Sequence, residues 1–305
     1  MQQIQTRDNR MIPTLRQAWT DYQMTRKLKP TTLKNYRLRI ERNLHEWLDL
    51  PMNEITKTMA LIRFRELSLN HEATANSTFR TLKALYNFAM AMYEDDNEDP
   101  LIRSNPVEKI ARVRAWNKDR VRRRSFALSL PQWYRAVLSL NSALWRDYWL
   151  LLLFTGMRKS EALKLEWRQV NLATGVIQLE NTKNGDDRLI PLSEFTWRLL
   201  LHRFHCKKTG TKYVFPNARG GHLQEVQSSV DEIIRRSGIV FACHDTRRTF
   251  ATIADEFDIR TEVTKALLGH RGDVTEDYTC RSVERLRRAT QKITDGILKT
   301  AGVAQ

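Results

Sequence analysis

The chain is short of cysteine, of acidic residues and of long apolar runs, and each shortage removes a class of protein. Cys206, Cys243 and Cys280 are odd in number and widely spaced along 305 residues. They offer neither a disulfide framework nor a CxxC pair, so a reducing cytoplasm is the expected setting. The longest uninterrupted apolar run, Tyr148 to Phe154, is far below the ~20 residues of a membrane-spanning helix. The opening Met1-Gln2-Gln3-Ile4-Gln5-Thr6-Arg7 has no signal-peptide core. A soluble intracellular protein with no membrane partner is expected. Internal repeats and low-complexity tracts are also missing. Acid is scarce relative to base, with 35 Asp+Glu against 51 Lys+Arg and a formal charge of +16. Such a surplus favours a polyanionic partner, because each phosphate contact releases condensed counterions. Charge alone describes any well-solvated basic protein, so the motifs must decide.

The length suggests two domains, and an apolar content of 41% is enough to fill ordinary cores. Residues 14 to about 94 read as helical. Leu15, Trp19 and Tyr22 share one helical face, and Leu33, Tyr36, Ile40, Leu44 and Trp47 recur three or four residues apart. Thr31 or Thr32 is expected to cap that second helix. A third helix is expected over Thr56 to Leu67. A fourth begins near Thr74, with Phe79, Leu82, Leu85, Phe88 and Ala89 on one face. The pattern breaks at an acidic loop, Glu94 to Pro100, and again at Asn105-Pro106. Residues 112 to 124 are rich in base, including Arg112, Arg114, Lys118, Arg120, Arg122, Arg123 and Arg124. A run of like charge is a solvated linker or lies on a nucleic-acid backbone. The expected domains are 1–111 and 129–305, joined by a basic linker over 112–128.

The second segment opens with helices, one of which ends at Gly156. Arg158 then sits in a turn before helical spacing resumes at Ser160. Val176 to Glu180 and Arg188 to Leu192 flank Lys183-Asn184-Gly185-Asp186-Asp187. Asn-Gly between apolar runs signals a β-hairpin, which puts Lys183 near its tip. From Leu223 onwards the chain reads as helical with short loops.

Two arginines, two histidines and a late tyrosine stand out within this segment. A phosphodiester attacked in line develops charge on its non-bridging oxygens, and a protein answers mainly by positioning and charge. Arginine suits that task because its planar fork stays charged and donates paired hydrogen bonds. Arg158, in Thr155-Gly156-Met157-Arg158-Lys159-Ser160-Glu161, and Arg247, in His244-Asp245-Thr246-Arg247-Arg248-Thr249-Phe250, are the candidates. His244 and Arg247 are spaced to share a helix face. Lys183 can deliver a proton to a leaving oxygen. His270, in Leu267-Leu268-Gly269-His270, can donate to a phosphate. Tyr278, the only tyrosine after Tyr213, is a weak nucleophile at a phenol pKa of about 10. It needs a base, here His244, and a positive field. Taken singly, each residue has an ordinary reading as solvated charge, core histidine or core aromatic. His202, His205 and Cys206 lack the fourth ligand that structural zinc takes, and no Asp/Glu/His cluster has divalent-metal spacing.

With these motifs in this order, the chain resembles the tyrosine recombinases, which include phage integrases, strongly over about residues 130 to 290. The resemblance implies a mainly α fold with a small antiparallel β-sheet. A SAM-like four-helix core-binding domain would precede a mixed α/β catalytic domain. It implies Tyr278 as nucleophile with Arg158, Lys183, His244, Arg247 and His270 around the phosphate, and Glu161 and Asp245 as supporting residues. The expected activity is site-specific cleavage and rejoining of DNA, through a 3′-phosphotyrosyl link and a Holliday junction, without cofactor, metal or ATP.

The family resemblance also implies partners. The two domains would clamp double-stranded DNA at core sites. Lys29, Thr31, Thr32, Asn35, Arg39, Asn76, Ser77, Arg80 and Lys83 would face it from the first domain, with Arg120, Arg122, Arg123 and Arg124 in the linker. Four protomers would assemble on DNA, with an excisionase and a DNA-bending host protein as further partners. Val283, Leu286, Ala289, Ile293 and Ile297 recur at helical spacing after Tyr278. Such a stripe packs on its own core or, as the family implies, docks on a neighbouring protomer. The acidic loop and basic connector look more like integrases of phages and genomic islands than like chromosome-dimer resolvases. Only about a dozen residues precede the core-binding pattern, as in a two-domain member or a piece of a longer one. The rival readings are a type IB topoisomerase, which relaxes DNA without site preference, and a non-catalytic DNA-binding regulator.

Overall fold

The computed structural model describes residues 11–118, 125–180, 187–269 and 282–303. Lys183, His270 and Tyr278, with Arg120, Arg122, Arg123 and Arg124, lie outside them. The chain falls into two compact units, Met1–Val121 and Arg122–Gln305.

The first unit is helical. α1 (Leu15–Thr25) is started by Thr14, whose hydroxyl accepts from the Gln17 amide while the Gln17 side chain accepts from the Thr14 amide. α2 (Pro30–Asn43) begins differently from expectation. Lys29 occupies the cap position without a side-chain bond, and Pro30 supplies the first helical residue. Its preset φ and missing N–H suit that position, so Thr31 and Thr32 fall inside the first turn and do not cap it. The two further helices expected run together as α3 (Lys57–Met92), broken only at His71 (φ −145°, ψ 68°). α4 (Glu108–Arg112) follows.

Leu15, Trp19, Ile40, Leu44, Phe64, Phe79, Leu82, Leu85 and Tyr86 form one buried cluster. Within it Phe64 meets Phe79 edge-on at 5.3 Å, and buried Tyr86 donates to the Met52 carbonyl at 2.8 Å. The expected linker is partly folded. Trp116 packs edge-on against Phe64 at 5.4 Å, and Asn117 donates to Ser68 Oγ at 2.8 Å. Phe126 and Ala127 are buried in the core of the second unit.

In the second unit, α5 (Leu130–Leu138) leads to α6 (Ala143–Thr155), which is buried from Asp147 to Thr155. α6 packs against α5, α7 (Lys159–Leu163), α8 (Glu194–His205), α10 (Cys243–Glu256) and α12 (Val283–Thr300). α9 (Gln227–Ser237) lies on α5, and α11 (Thr261–Leu268) lies between α10 and α12. The sheet is antiparallel in the order β1 (Val170–Asn171), β2 (Val176–Leu179), β3 (Arg188–Pro191). Leu179 pairs with Arg188 and Val176 with Pro191, the hairpin that the Asn-Gly turn signalled.

The fold is thus mainly α with a small antiparallel sheet, as expected. The apolar stripe of α12 does not wait for a neighbour. Leu286, Ala289, Ile293 and Ile297 are buried against α6, α10, α11 and β3 of the same chain. Arg287 adds bonds to the Thr174 and Gly175 carbonyls at 2.8 and 3.2 Å. Among the described residues no helix is long and apolar enough to cross a membrane.

Candidate functional site

Two left-handed glycines organise the site. Gly156 (φ +62°) closes α6, and Gly269 (φ +61°) closes α11. Neither tolerates a side chain. A Cβ on Gly156 would lie 2.6 Å from Leu268 Cδ2, and one on Gly269 would lie 2.6 Å from Arg188 Cδ. The close approach brings the C-terminus of α11 over the turn that carries Arg158.

Arg158 is the extended residue at the head of α7, and Glu161 reaches back to it. The Glu161 carboxylate accepts from the Arg158 amide at 2.9 Å and from its Nη1 at 2.7 Å. Arg158 Nη2 donates to the Gly269 carbonyl at 3.3 Å. Arg247 is buried on α10. Its Nη1 donates to the Gly156 carbonyl at 2.7 Å and its Nη2 to the Leu268 carbonyl. Asp245 fixes the first turn of α10. It accepts from the Ala242 amide at 2.9 Å and pairs with Arg248 at 2.7 Å. His244, one position earlier, is exposed. Arg158, Glu161 and Arg247 therefore meet at one place, with His244 and Asp245 on the same helix turn as Arg247.

A third arginine joins them that sequence reasoning missed. Arg188, the first residue of β3, is 6% exposed. Its Nη1 donates to the Leu268 carbonyl at 2.9 Å, and its Nη2 stands 3.3 Å from Glu161 Oε2 as an ion pair. One signal pointed to it: Arg188 shares strand parity with buried Ile190, so it faces the core.

Three guanidinium groups thus converge on the carbonyls at the end of α11, and two of them, Arg158 and Arg188, also meet one carboxylate. A helix C-terminus is partly negative and its last carbonyls lack helical partners, which favours cations there. The charges still do not balance. Burial lowers the pKa of Arg247 to about 9, helped by Arg188 and Arg158. Burial likewise lowers Arg188 to about 10, against the attraction of Glu161. Both stay protonated near neutrality. Burial alone would raise the Glu161 pKa, but Arg188 and Arg158 outweigh it and hold the carboxyl below its ordinary value. Partial burial, then Arg248 and Arg247, lower the His244 pKa below 6.5, which favours the neutral, proton-accepting imidazole. The site as described is cationic and suited to an anion.

The first unit separates the other candidates. Lys29, Thr31, Asn35, Arg80 and Lys83 are exposed, and Thr32, Arg39 and Ser77 are half-buried. Arg39 donates to Thr81 Oγ1 at 3.3 Å, and the Arg80 guanidinium lies 5.8 Å from the Trp116 ring. Asn76 is 1% exposed, and its amide both donates to and accepts from the Asn117 backbone at 2.9 and 3.2 Å. That removes Asn76 from the surface set: its amide anchors the end of the first unit. His202 Nε2 and Cys206 Sγ stand 3.7 Å apart, and no group of three or more potential metal ligands occurs among the described residues.

Comparison with known proteins places this geometry. Prophage integrase IntF of Escherichia coli K12 is 24% identical over 265 residues, covering 84% of this chain and 56% of that protein. Tyrosine recombinase XerC of Oceanobacillus iheyensis is 30% identical over 153 residues, covering 45% of this chain and 49% of that protein. The chain spans about half the length of the curated relatives it matches. The crystal structure of a lambda integrase (75–356) dimer on a COC′ core site matches with TM-score 0.65 at 22% identity, over 86% of this chain and 97% of that one. The Tn1549 transposon integrase (82–397) in complex with circular intermediate DNA matches with TM-score 0.67 at 19% identity, over 90% and 98%. These likenesses establish the fold. The model of the phage integrase family matches residues 131–284. That stretch is half of the chain and holds the whole arginine cluster, and on that match the chain belongs to the phage integrase family.

Proposed function

We propose that the chain is a site-specific DNA recombinase that works through a tyrosine nucleophile. The observation that carries this reading is the convergence of Arg158, Arg188 and Arg247 on the end of α11, where Arg188 and Arg247 share the Leu268 carbonyl and Arg158 and Arg188 share the Glu161 carboxylate. A phosphodiester in the line of the two proposed phosphate ligands, Arg158 and Arg247, would meet a fixed positive field, which favours the charge that develops on its oxygens. Tyr278 Oη bonds to phosphorus as the bond to the 5′-oxygen breaks. The phenolic proton passes to His244, and Lys183 protonates the leaving oxygen. His270 donates to a non-bridging oxygen, while Glu161 holds the Arg158 side chain and Asp245 fixes the helix turn that carries His244. The 5′-hydroxyl of a partner strand then attacks the phosphotyrosyl link and restores the backbone. Bond energy is kept in that link, so the cycle calls for neither ATP nor a metal ion.

Lambda integrase has been solved as a tetramer bound to a Holliday junction, and the same assembly on core-type sites is proposed here. Phosphate contacts are proposed for Lys29, Thr31, Thr32, Asn35, Arg39, Ser77, Arg80 and Lys83, and for Arg120, Arg122, Arg123 and Arg124 between the units. An excisionase, a DNA-bending host protein and a place on the bacterial nucleoid belong to the same proposal. The test is a supercoiled plasmid carrying two copies of the DNA that flanks the gene. Deletion or inversion between the copies, with four-way junctions as intermediates, is expected. Relaxation of any plasmid irrespective of sequence would point instead to a topoisomerase.

A further inference from the structure

Arg188 is a buried cation to which the chemistry above assigns no step. It shares an anchor with each of the two arginines proposed to hold phosphate. With Arg247 it shares the Leu268 carbonyl, and with Arg158 it shares the Glu161 carboxylate. The fit is close, since its Cδ lies where a Cβ on Gly269 would stand, at 2.6 Å. We propose that Arg188 is a positioning residue, which sets the spacing of Arg158 and Arg247 by gripping Leu268 and Glu161 between them. The inference rests on the recombinase reading.

Stability does not account for this side chain. Its neighbours on the inner face of the sheet are Ile177, Leu179 and Ile190, where an apolar side chain would be at least as stable. Buried ion pairs replaced by well-packed hydrophobes are often neutral or stabilising. Among the described residues Arg188 Nε has no hydrogen-bond partner, and Nη2 faces Glu161 without hydrogen-bond geometry, so the group is held at a cost in satisfied polar atoms. What a guanidinium does here, and a hydrophobe cannot, is bridge a carbonyl and a carboxylate with a rigid fork. β3 also leads directly out of residues 181–186, which include Lys183. Arg188 thereby ties the strand beside that lysine to the arginine pair.

The test compares Arg188→Met and Arg188→Lys with wild type in the full chain. The probe is a nicked suicide duplex from the DNA flanking the gene, with duplex affinity, melting temperature and the single-turnover rate of covalent complex formation as readouts. Arg188→Met is expected to bind duplex within about threefold of wild type and to melt near it, yet to cleave about 30-fold more slowly or worse, because small misplacements of reacting groups are costly. Arg188→Lys keeps the charge but offers one ammonium for two anchors, and is expected to fall between. Cleavage by Arg188→Met within about threefold of wild type would overturn the proposal. So would parallel loss of affinity, melting temperature and rate in both variants, which is the mark of a merely structural residue. A wild type that forms no covalent complex on any flanking duplex would overturn the recombinase reading, and the role of Arg188 with it.

Discussion

Replacing Gly269 with alanine separates two physical costs that the structure puts at one residue. The first is conformational. Gly269 has φ +61°, and an L-residue in the left-handed region costs about 1 kcal/mol. The second is steric. The new Cβ would stand 2.6 Å from Arg188 Cδ and 3.1 Å from its Nη1. Arg188 cannot swing aside freely, because it is 6% exposed and held by Leu268 and Glu161. Overpacking of this kind costs about 1–3 kcal/mol, for a total of roughly 2–4 kcal/mol. Gly238 supplies the control. It has φ +71° at the end of α9, and a Cβ there meets nothing within 4 Å, so Gly238→Ala carries the conformational cost alone.

For a unit of this size each kcal/mol lowers the melting temperature by about 2–4 °C. Scanning calorimetry of the full chain should therefore put Gly238→Ala about 3 °C below wild type and Gly269→Ala roughly 6–12 °C below it. Equal shifts in the two variants would refute the claim that Arg188 packs rigidly beneath the end of α11.

Three further outcomes follow from the same contacts. Asp147, 7% exposed, pairs with Arg203 at 2.9 Å. Asp147→Ala leaves a largely buried guanidinium with the Val214 carbonyl but without its counter-charge and should cost about 3 kcal/mol in urea unfolding, whereas a loss under about 1 kcal/mol would mean the pair is solvated. The pKa of His244 is held below its ordinary 6.5 by partial burial and by Arg248 and Arg247. The unfolded chain therefore takes up that proton first, and the contribution to stability is complete above about pH 6.5 and lost as pH falls through the lower folded value. His244→Gln should gain stability relative to wild type as pH drops from about 7 to 5, and a pH-independent difference would contradict the shift. In the first unit, Lys83→Ala should lower the salt dependence of DNA binding by about one phosphate contact. Asn76→Ala should destabilise the unit and leave that slope unchanged; a reduced slope in Asn76→Ala would return Asn76 to the DNA surface.

The candidate site was legible in the sequence where a motif carries its own local geometry. Gly156 is both the helix stop and the reason Arg158 sits in a turn, so the motif carries its own geometry. His244 and Arg247 lie on one helix as their spacing required, although one is exposed and the other buried. Arg188 escaped because reading by periodicity sends cations to solvent, and arginine is seldom fully buried. Its parity with buried Ile190 is visible in the sequence, but the carbonyl and carboxylate that let a guanidinium be buried there come from distant parts of the chain. Asn76 misled in the opposite direction. It stands among polar residues, yet its amide is spent on the Asn117 backbone, forty-one residues away, which no local pattern reveals. The break in α3 at His71 carries no proline or glycine to announce it. The stripe of α12 was legible as apolar, but not the surface it covers, since a helix face records that it is buried and not against what.

The central claim is that Tyr278 attacks a DNA phosphate within the field of Arg158 and Arg247. The most direct test is covalent trapping on nicked suicide duplexes in EDTA, resolved on a denaturing gel, for wild type and Tyr278→Phe. The expected result is a denaturant-stable protein–DNA band in wild type alone, with both proteins binding the duplex equally well. A band of equal intensity in Tyr278→Phe would contradict the assignment of the nucleophile, and tight, specific binding with no band in either protein would contradict cleavage itself.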